Sequence, residues 1–299
     1  MKNQSFFLLL TFFLLSPSMG QDEARAYLLA SKNPPLPVGE TFELTSKFSF
    51  NEVPFALTVE AQKFEGKMTR AERKVTRYEF LAQDRLQVTY LVDLETGKQS
   101  MMGQTSDINE RRATEGRVFL LVQNAGKWAV DPKPEGIEPA DQEVIDEAIE
   151  SLEDEANDEI EESLKMYGDQ PRKVGETWEV DALALPGMDN LEILGGKVTL
   201  TFKAIENFNG EECAILGAKF KVAGQMTDAP MKGVAADMSG TLEITRSLKY
   251  FEDYKMTGRI GMKSLGEMQL QPGITGTFKM EGDAKLEMTA VKQPKKEKE

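Results

Sequence analysis

Val198-Thr199-Leu200-Thr201-Phe202, then Asn209-Gly210, then Ala214-Ile215-Leu216-Gly217-Ala218-Lys219-Phe220-Lys221-Val222, is the stretch whose reading decides the fold. Apolar and polar residues alternate on both sides of a dipeptide suited to the tightest hairpin turns. Period-two alternation is the mark of a strand with one buried and one wet face. Asn-Gly supplies two adjacent residues that accept positive φ. The same alternation continues through Leu242, Ile244 and Leu248, then Tyr254, Met256, Ile260 and Met262, then Phe278 and Met280, and finally Leu286, Met288 and Ala290. Residues 171–292 therefore read as an antiparallel meander.

Upstream, Phe42, Leu44, Phe48 and Phe50 alternate with Glu43, Thr45, Lys47 and Ser49. Leu86, Val88, Tyr90 and Val92 repeat the pattern, and Asp93-Leu94-Glu95-Thr96-Gly97 reads as a hairpin turn. Val118 to Val122 is a fuller apolar run, expected as a strand buried on both faces. These make residues 37–135 an N-terminal β-rich half. Between the halves, 136–170 carries no basic residue from Pro134 to Leu164. Ile145, Ile149, Leu152, Ala156, Ile160 and Leu164 recur three or four apart there, predicting an amphipathic helix from Asp141 to Met166 ended by Gly168 and Pro171. So acidic a helix gains little from its own ion pairs, and its apolar stripe must dock on something.

Met1-Lys2, the apolar run Phe6 to Leu15 and the small residues Ser18 and Gly20 predict a signal peptide over 1–20, with cleavage after Gly20. The run is shorter than the roughly 20 residues of a membrane span, and no cysteine follows it to carry a lipid. The expectation is export to the periplasm or the extracellular space without a direct membrane anchor. Residues 21–36 read as a lead-in with a short helix from Asp22 to Ala30, broken by Asn33-Pro34-Pro35-Leu36-Pro37. Residues 293–299 form a charged tail.

Composition narrows the chemistry. The 299 residues contain no histidine and one cysteine, Cys213, so His-based catalysis, His metal sites and an intramolecular disulfide are excluded. The net charge of −14 becomes −15 once Lys2 leaves with the signal, which disfavours nucleic acid. Neither Ser-x-x-Lys nor Gly-x-Ser-x-Gly occurs, and Gly195-Gly196-Lys197 lacks the spacing of a phosphate loop, reading instead as a turn. Cys213 lies between Glu212 and an apolar strand, as a buried thiol would. Paired carboxylates are the one catalytic device available, but spacing identifies no pair, and no calcium loop is present. No enzyme activity, cofactor or metal is expected.

One internal echo stands out: Pro37-Val38-Gly39-Glu40-Thr41-Phe42-Glu43-Leu44 and Lys173-Val174-Gly175-Glu176-Thr177-Trp178-Glu179-Val180 share Val-Gly-Glu-Thr-aromatic-Glu-aliphatic, each where a set of strands begins. This points to two related halves and to an edge turn whose glycine supplies backbone freedom. With the signal segment and the meander, the Val-Gly-Glu-Thr-Trp-Glu motif resembles an uncharacterised family of exported bacterial β-rich proteins, itself similar in fold to periplasmic lipoprotein carriers. The resemblance implies a strongly curved antiparallel sheet with helices across its mouth. The fold class expected is mainly β: two related antiparallel β-rich halves, a curved sheet or half-barrel, joined by a long acidic amphipathic helix.

Methionine is concentrated in the meander. Met256, Met262, Met280 and Met288 fall on inward positions, with Met226, Met231, Met238 and Met268 in or near turns. Methionine fills cores, and it also suits surfaces that accept irregular apolar ligands. The candidate ligand-lining residues are Met256, Met262, Met280, Met288, Phe220 and Trp178. The reading preferred is an apolar or lipid-like ligand held between sheet and helix. The alternative is an envelope or extracellular interaction module using the acidic helix and sheet edges to contact a protein, and a third is a carboxylate-based hydrolase.

Overall fold

In the computed structural model, which describes residues 25–184, 191–227, 231–271 and 274–294, strands dominate. In chain order these are β1 (Ala26–Tyr27), β2 (Thr41–Val59), β3 (Gln62–Ala82), β4 (Arg85–Met101), β5 (Gln104–Arg111), β6 (Val118–Asn124) and β7 (Lys127–Val130). Helix α1 (Gln142–Tyr167) follows, then β8 (Arg172–Lys173), β9 (Thr177–Asp181), a 3-10 turn at Ala182–Ala184, β10 (Leu191–Phe208), β11 (Glu211–Met226), β12 (Ala235–Ser247), β13 (Asp253–Gln271) and β14 (Ile274–Lys292). The signal segment lies outside the described residues, as does most of the charged tail.

Twelve strands form one open, curved antiparallel sheet in the order β7-β6-β4-β3-β2-β14-β13-β12-β11-β10-β9, with β5 branching from β4. The expected halves are thus fused edge to edge through β14 and β2, whose register runs from Thr277 opposite Thr58 to Lys292 opposite Phe42. The helix joins the outermost strands of that sheet. The Asn209-Gly210 turn is present, with φ of 53° and 82°.

The echo is a repeated structure. Gly39 N–H donates to Phe80 O and Phe80 N–H to Glu40 O; Gly175 N–H donates to Phe202 O and Phe202 N–H to Glu176 O. Both glycines have positive φ, 77° and 89°. Phe42 then enters a core, while Trp178 is half-buried at the sheet edge.

Five local expectations fail. Arg85–Met101 is one strand through the segment read as a turn, because a Cβ at Gly97 would lie 2.3 Å from Thr69 O: the glycine permits close strand approach there. Val118–Asn124 alternates, with Phe119 and Leu121 buried and Val118 exposed, since its second face meets solvent. Gly195-Gly196 is paired within β10, opposite Ala223 and Val222, just after a bulge at Leu194. The lead-in has no helix at Arg25–Ala30: Ala26 and Tyr27 pair with Lys173 and Arg172, and Leu29 and Ala30 are buried beside Phe202 and Met166. Met238, expected near a turn, is buried inside β12.

A Cβ at Gly39 or Gly175 would touch nothing, so alanine there tests backbone conformation alone. Each Gly→Ala change should cost about 1–2 kcal/mol in urea unfolding, while Gly261→Ala, with ordinary φ and contacts no closer than 3.4 Å, should cost nothing. Equal effects at all three would remove the turn from the account.

Candidate functional site: the inner face of the sheet

Helix α1 lies across one end of the sheet's inner face. Ile145, Ile149 and Leu152 pack on Leu86, Val88, Phe119, Leu121 and Val130. Each such aliphatic burial contributes about 1.5–3 kcal/mol. The helix also covers the open edge of β7: Asn157 Oδ1 accepts from Trp128 N–H at 2.9 Å and Glu153 Oε1 from Val130 N–H at 2.8 Å. At its far end Met166 and Tyr167 are buried with Phe202 and Leu200, and the Trp178 indole donates to Met166 O at 3.2 Å. Arg172 stacks over that indole, 4.7 Å from its centre.

The docked stripe follows the sequence expectation at Ile145, Ile149, Leu152, Ala156 and Leu164 and departs from it at one position. Ile160 is exposed, and Lys165, within the helix, pairs with Glu161. Past Ala156, polar groups join Leu164, Met166 and Tyr167 in the contact. Arg246, with its side chain 3% exposed, bonds Asp253 at 2.6 Å, Leu29 O and Ser163 Oγ, and lies 4.0 Å over the Tyr167 ring. Tyr167 donates its hydroxyl proton to Asp253 at 2.8 Å, and burial raises its pKa. Half-buried Glu252, at the β12–β13 turn, shares a hydrogen bond with Glu159 of the helix; burial, then the Glu159 charge, push its pKa well up. Burial likewise raises Tyr78, which faces Glu155, Glu159 and Glu252. The Cys213 thiol, fully enclosed, is pushed up to about 11 by burial and by Glu211.

Beyond the helix the inner face is open. Directly paired residues share a face, so rows can be followed across the strands. One runs Trp178, Leu200, Ala218, Leu242, Gly258, Leu286, Phe48, Glu72, Glu95. The next runs Val180, Val198, Phe220, Gly240, Ile260, Ala284, Phe50, Arg70. A third, nearer the helix, ends Ile244, Met256, Met288, Ser46, Lys74, Asp93. Each is apolar as far as β14 or β2 and charged on β3, and the first and third are charged on β4 as well.

All six candidate residues lie on this face. Phe220 is core, its ring lying over Gly240, and Trp178 anchors the helix end. Met256, Met262, Met280 and Met288 are half-buried, with Leu242, Leu286 and Phe48 among them. At the end of the helix Met166 and Tyr167 are themselves part of the core. An open depression of about 660 Å³ lies instead at the opposite strand ends, lined by Phe55, Met101, Met102 and Met280 and rimmed by Lys63, Lys67 and Lys279. The charged wall escaped the sequence reading; its signal was Arg70, Glu72 and Lys74 at alternate positions of one strand.

Among the described residues no cluster of metal-ligating side chains occurs, and no helix is long and apolar enough to cross a membrane. No protein-family model and no curated protein matches the chain. Among solved structures it aligns with lipovitellin, from a study of lipid–protein interactions, at 6% identity and a TM-score of 0.41, over 89% of this chain and 27% of that one. It aligns with an outer membrane channel from Pseudomonas putida F1 at 9% identity and a TM-score of 0.25, over 88% of this chain and 98% of that one. The chain spans about a quarter of lipovitellin's length, and neither alignment establishes a shared fold.

Two predictions concern the latch. Arg246→Ala should destabilise by about 3–5 kcal/mol, since Asp253 loses its cation and keeps only the Tyr167 hydroxyl; a loss below ~1 kcal/mol in urea unfolding would contradict it. Glu252 keeps a proton in the folded chain that the unfolded chain releases above the ordinary carboxylate range, so its contribution is full below that range and lost as pH rises toward the raised folded value. Glu252→Gln should therefore gain melting temperature over wild type as pH increases from about 4 to 8. A difference independent of pH would show that the carboxyl does not titrate there.

Proposed function

We propose that this chain is an exported, non-catalytic carrier that holds an apolar, lipid-like ligand on the inner face of its sheet. One observation carries the reading: a continuous apolar floor, covered at one end by a helix and left half-exposed at Met256, Met262, Met280 and Met288. A sheet's apolar face ordinarily needs a second layer against it. Here one helix supplies that layer for one end, and a ligand would complete the rest. Thioether side chains suit the task because they repack around irregular apolar shapes. Gly240 and Gly258 let Phe220 and Leu242 lie over their neighbours, since any Cβ there would sit within 3 Å of those side chains. The acids that face each other, Glu159 and Glu252, sit at the helix beside Arg246, an arrangement suited to a latch more than to hydrolysis. The likeness of the Val-Gly-Glu-Thr-Trp-Glu motif to exported carrier-like proteins agrees with the proposal.

The test is native mass spectrometry and solvent extraction of protein purified without detergent, followed by titration of stripped protein with the fluorescent apolar probe N-phenyl-1-naphthylamine. The probe should bind and be displaced by fatty amphiphiles. Met262→Glu should weaken binding at least ~10-fold, because a carboxylate on the floor must be desolvated, while Met262→Leu and the surface control Leu265→Glu should bind as wild type. A stripped, folded protein that ignores the probe, or a Met262→Glu variant that binds it unchanged, would overturn the reading.

A further inference from the structure

The apolar floor stops abruptly. In adjacent rows Phe48 is followed by Glu72 and Glu95, Phe50 by Arg70, and Ser46 by Lys74 and Asp93. Arg112, just after β5, reaches onto the same wall, its guanidinium 3.6 Å from Glu95, 3.9 Å from Glu72 and 4.0 Å from Asp93. Arg70 is held tightly, at 2.8 and 2.9 Å from Glu95 and 2.7 Å from Glu72. Asp93 is buried against Thr114. Arg112 differs from these: its side chain is 47% exposed and its three contacts are 3.6 Å or longer, while its neighbour Glu72, 37% exposed, keeps the 2.7 Å contact with Arg70. The wall thus presents one loosely held cation beside a partly exposed carboxylate that Arg70 holds on one side, next to half-buried Phe48, within a set where Arg70, Lys74 and Arg112 balance Glu72, Asp93 and Glu95.

We propose that the inner face takes a zwitterionic amphiphile, its chain lying across the strands on the floor and its phosphate and ammonium groups meeting Arg112 and Glu72. This rests on the reading of the floor as a ligand surface. A purely apolar ligand reaching Phe48 would strip water from Arg112 and Glu72 without replacing it, which costs free energy. A singly charged head would satisfy one of the two and repel the other. A zwitterion pairs both, and guanidinium matches phosphate in geometry as well as charge. The dimensions allow it: four strand spacings separate Leu242 from Glu72, about 19 Å at ~4.8 Å each, room for a long acyl chain.

The experiment titrates stripped full-length protein with three amphiphiles of one chain length: a lyso-phosphatidylethanolamine, the free fatty acid and the neutral monoacylglycerol, each below its aggregation threshold. Displacement of N-phenyl-1-naphthylamine and native mass spectrometry are the readouts. The lysophospholipid should bind ~10-fold tighter than the monoacylglycerol, the worth of one charge-assisted contact. The double variant Arg112→Gln with Glu72→Gln, both on exposed side chains, should erase that preference and leave monoacylglycerol binding intact. Equal binding of all three, a fatty acid bound tightest, or a preference that survives the double variant would overturn the headgroup assignment while leaving the floor as a ligand surface. Failure of all three to bind would overturn the carrier reading itself.

Discussion

A chain that begins its main sheet at Thr41 and ends it at Lys292 would, as a simple meander, leave its first and last strands as edges. Pairing β2 with β14 places them in the middle instead. The edges then fall to β7 and β9, the strands on either side of α1 in sequence, and the helix has to pass from one to the other. Flat, the eleven strands from β7 to β9 would hold those edges about 48 Å apart at ~4.8 Å per strand. Glu153, bonded to β7, and Met166, bonded to β9, are only about 20 Å apart along a helix rising 1.5 Å per residue. The sheet must therefore curve, and its inner face becomes a trough closed at one end.

What holds the helix there changes along its length. The first half docks through aliphatic side chains, which are insensitive to pH. The second half adds to half-buried Leu164 and buried Met166 and Tyr167 the polar contacts of Arg246, Asp253, Ser163 and the Glu159–Glu252 pair, where each buried charge must keep a partner because an unpaired one is costly. Such a junction fixes one position of the helix more strictly than apolar packing would. It also leaves the opposite end of the trough free of cover, where the methionines and the charged wall lie.

Much of this was legible in the sequence. Period-two alternation located the strands of the meander, Asn209-Gly210 its hairpin, and the acidic run a helix whose ends differ from the expected ones by a single residue. The repeated Val-Gly-Glu-Thr marked two structurally equivalent turns. Other features were hidden for physical reasons. The β2–β14 pairing joins segments more than 200 residues apart and leaves no local signal. Glycine at 97 serves strand approach rather than a turn, and both uses look alike in one dimension. Ile160 drew the apolar stripe away from Ser163, because a seam that turns partly polar cannot be recognised without its partner Arg246. Strand alternation puts Met256, Met262, Met280 and Met288 on the face of the core, whereas the wall of Arg70, Glu72 and Glu95 acquires meaning only when the rows place it beside Phe48.

The central claim is that the open part of the inner face is where the ligand lies. The most direct measurement is a crystal structure of the protein with a bromine-labelled amphiphile, locating the bromine by anomalous scattering. The account predicts bromine on the inner face among Met262, Leu286 and Phe48. Bromine confined to the outer face of the sheet or to the exposed side of the helix would contradict it.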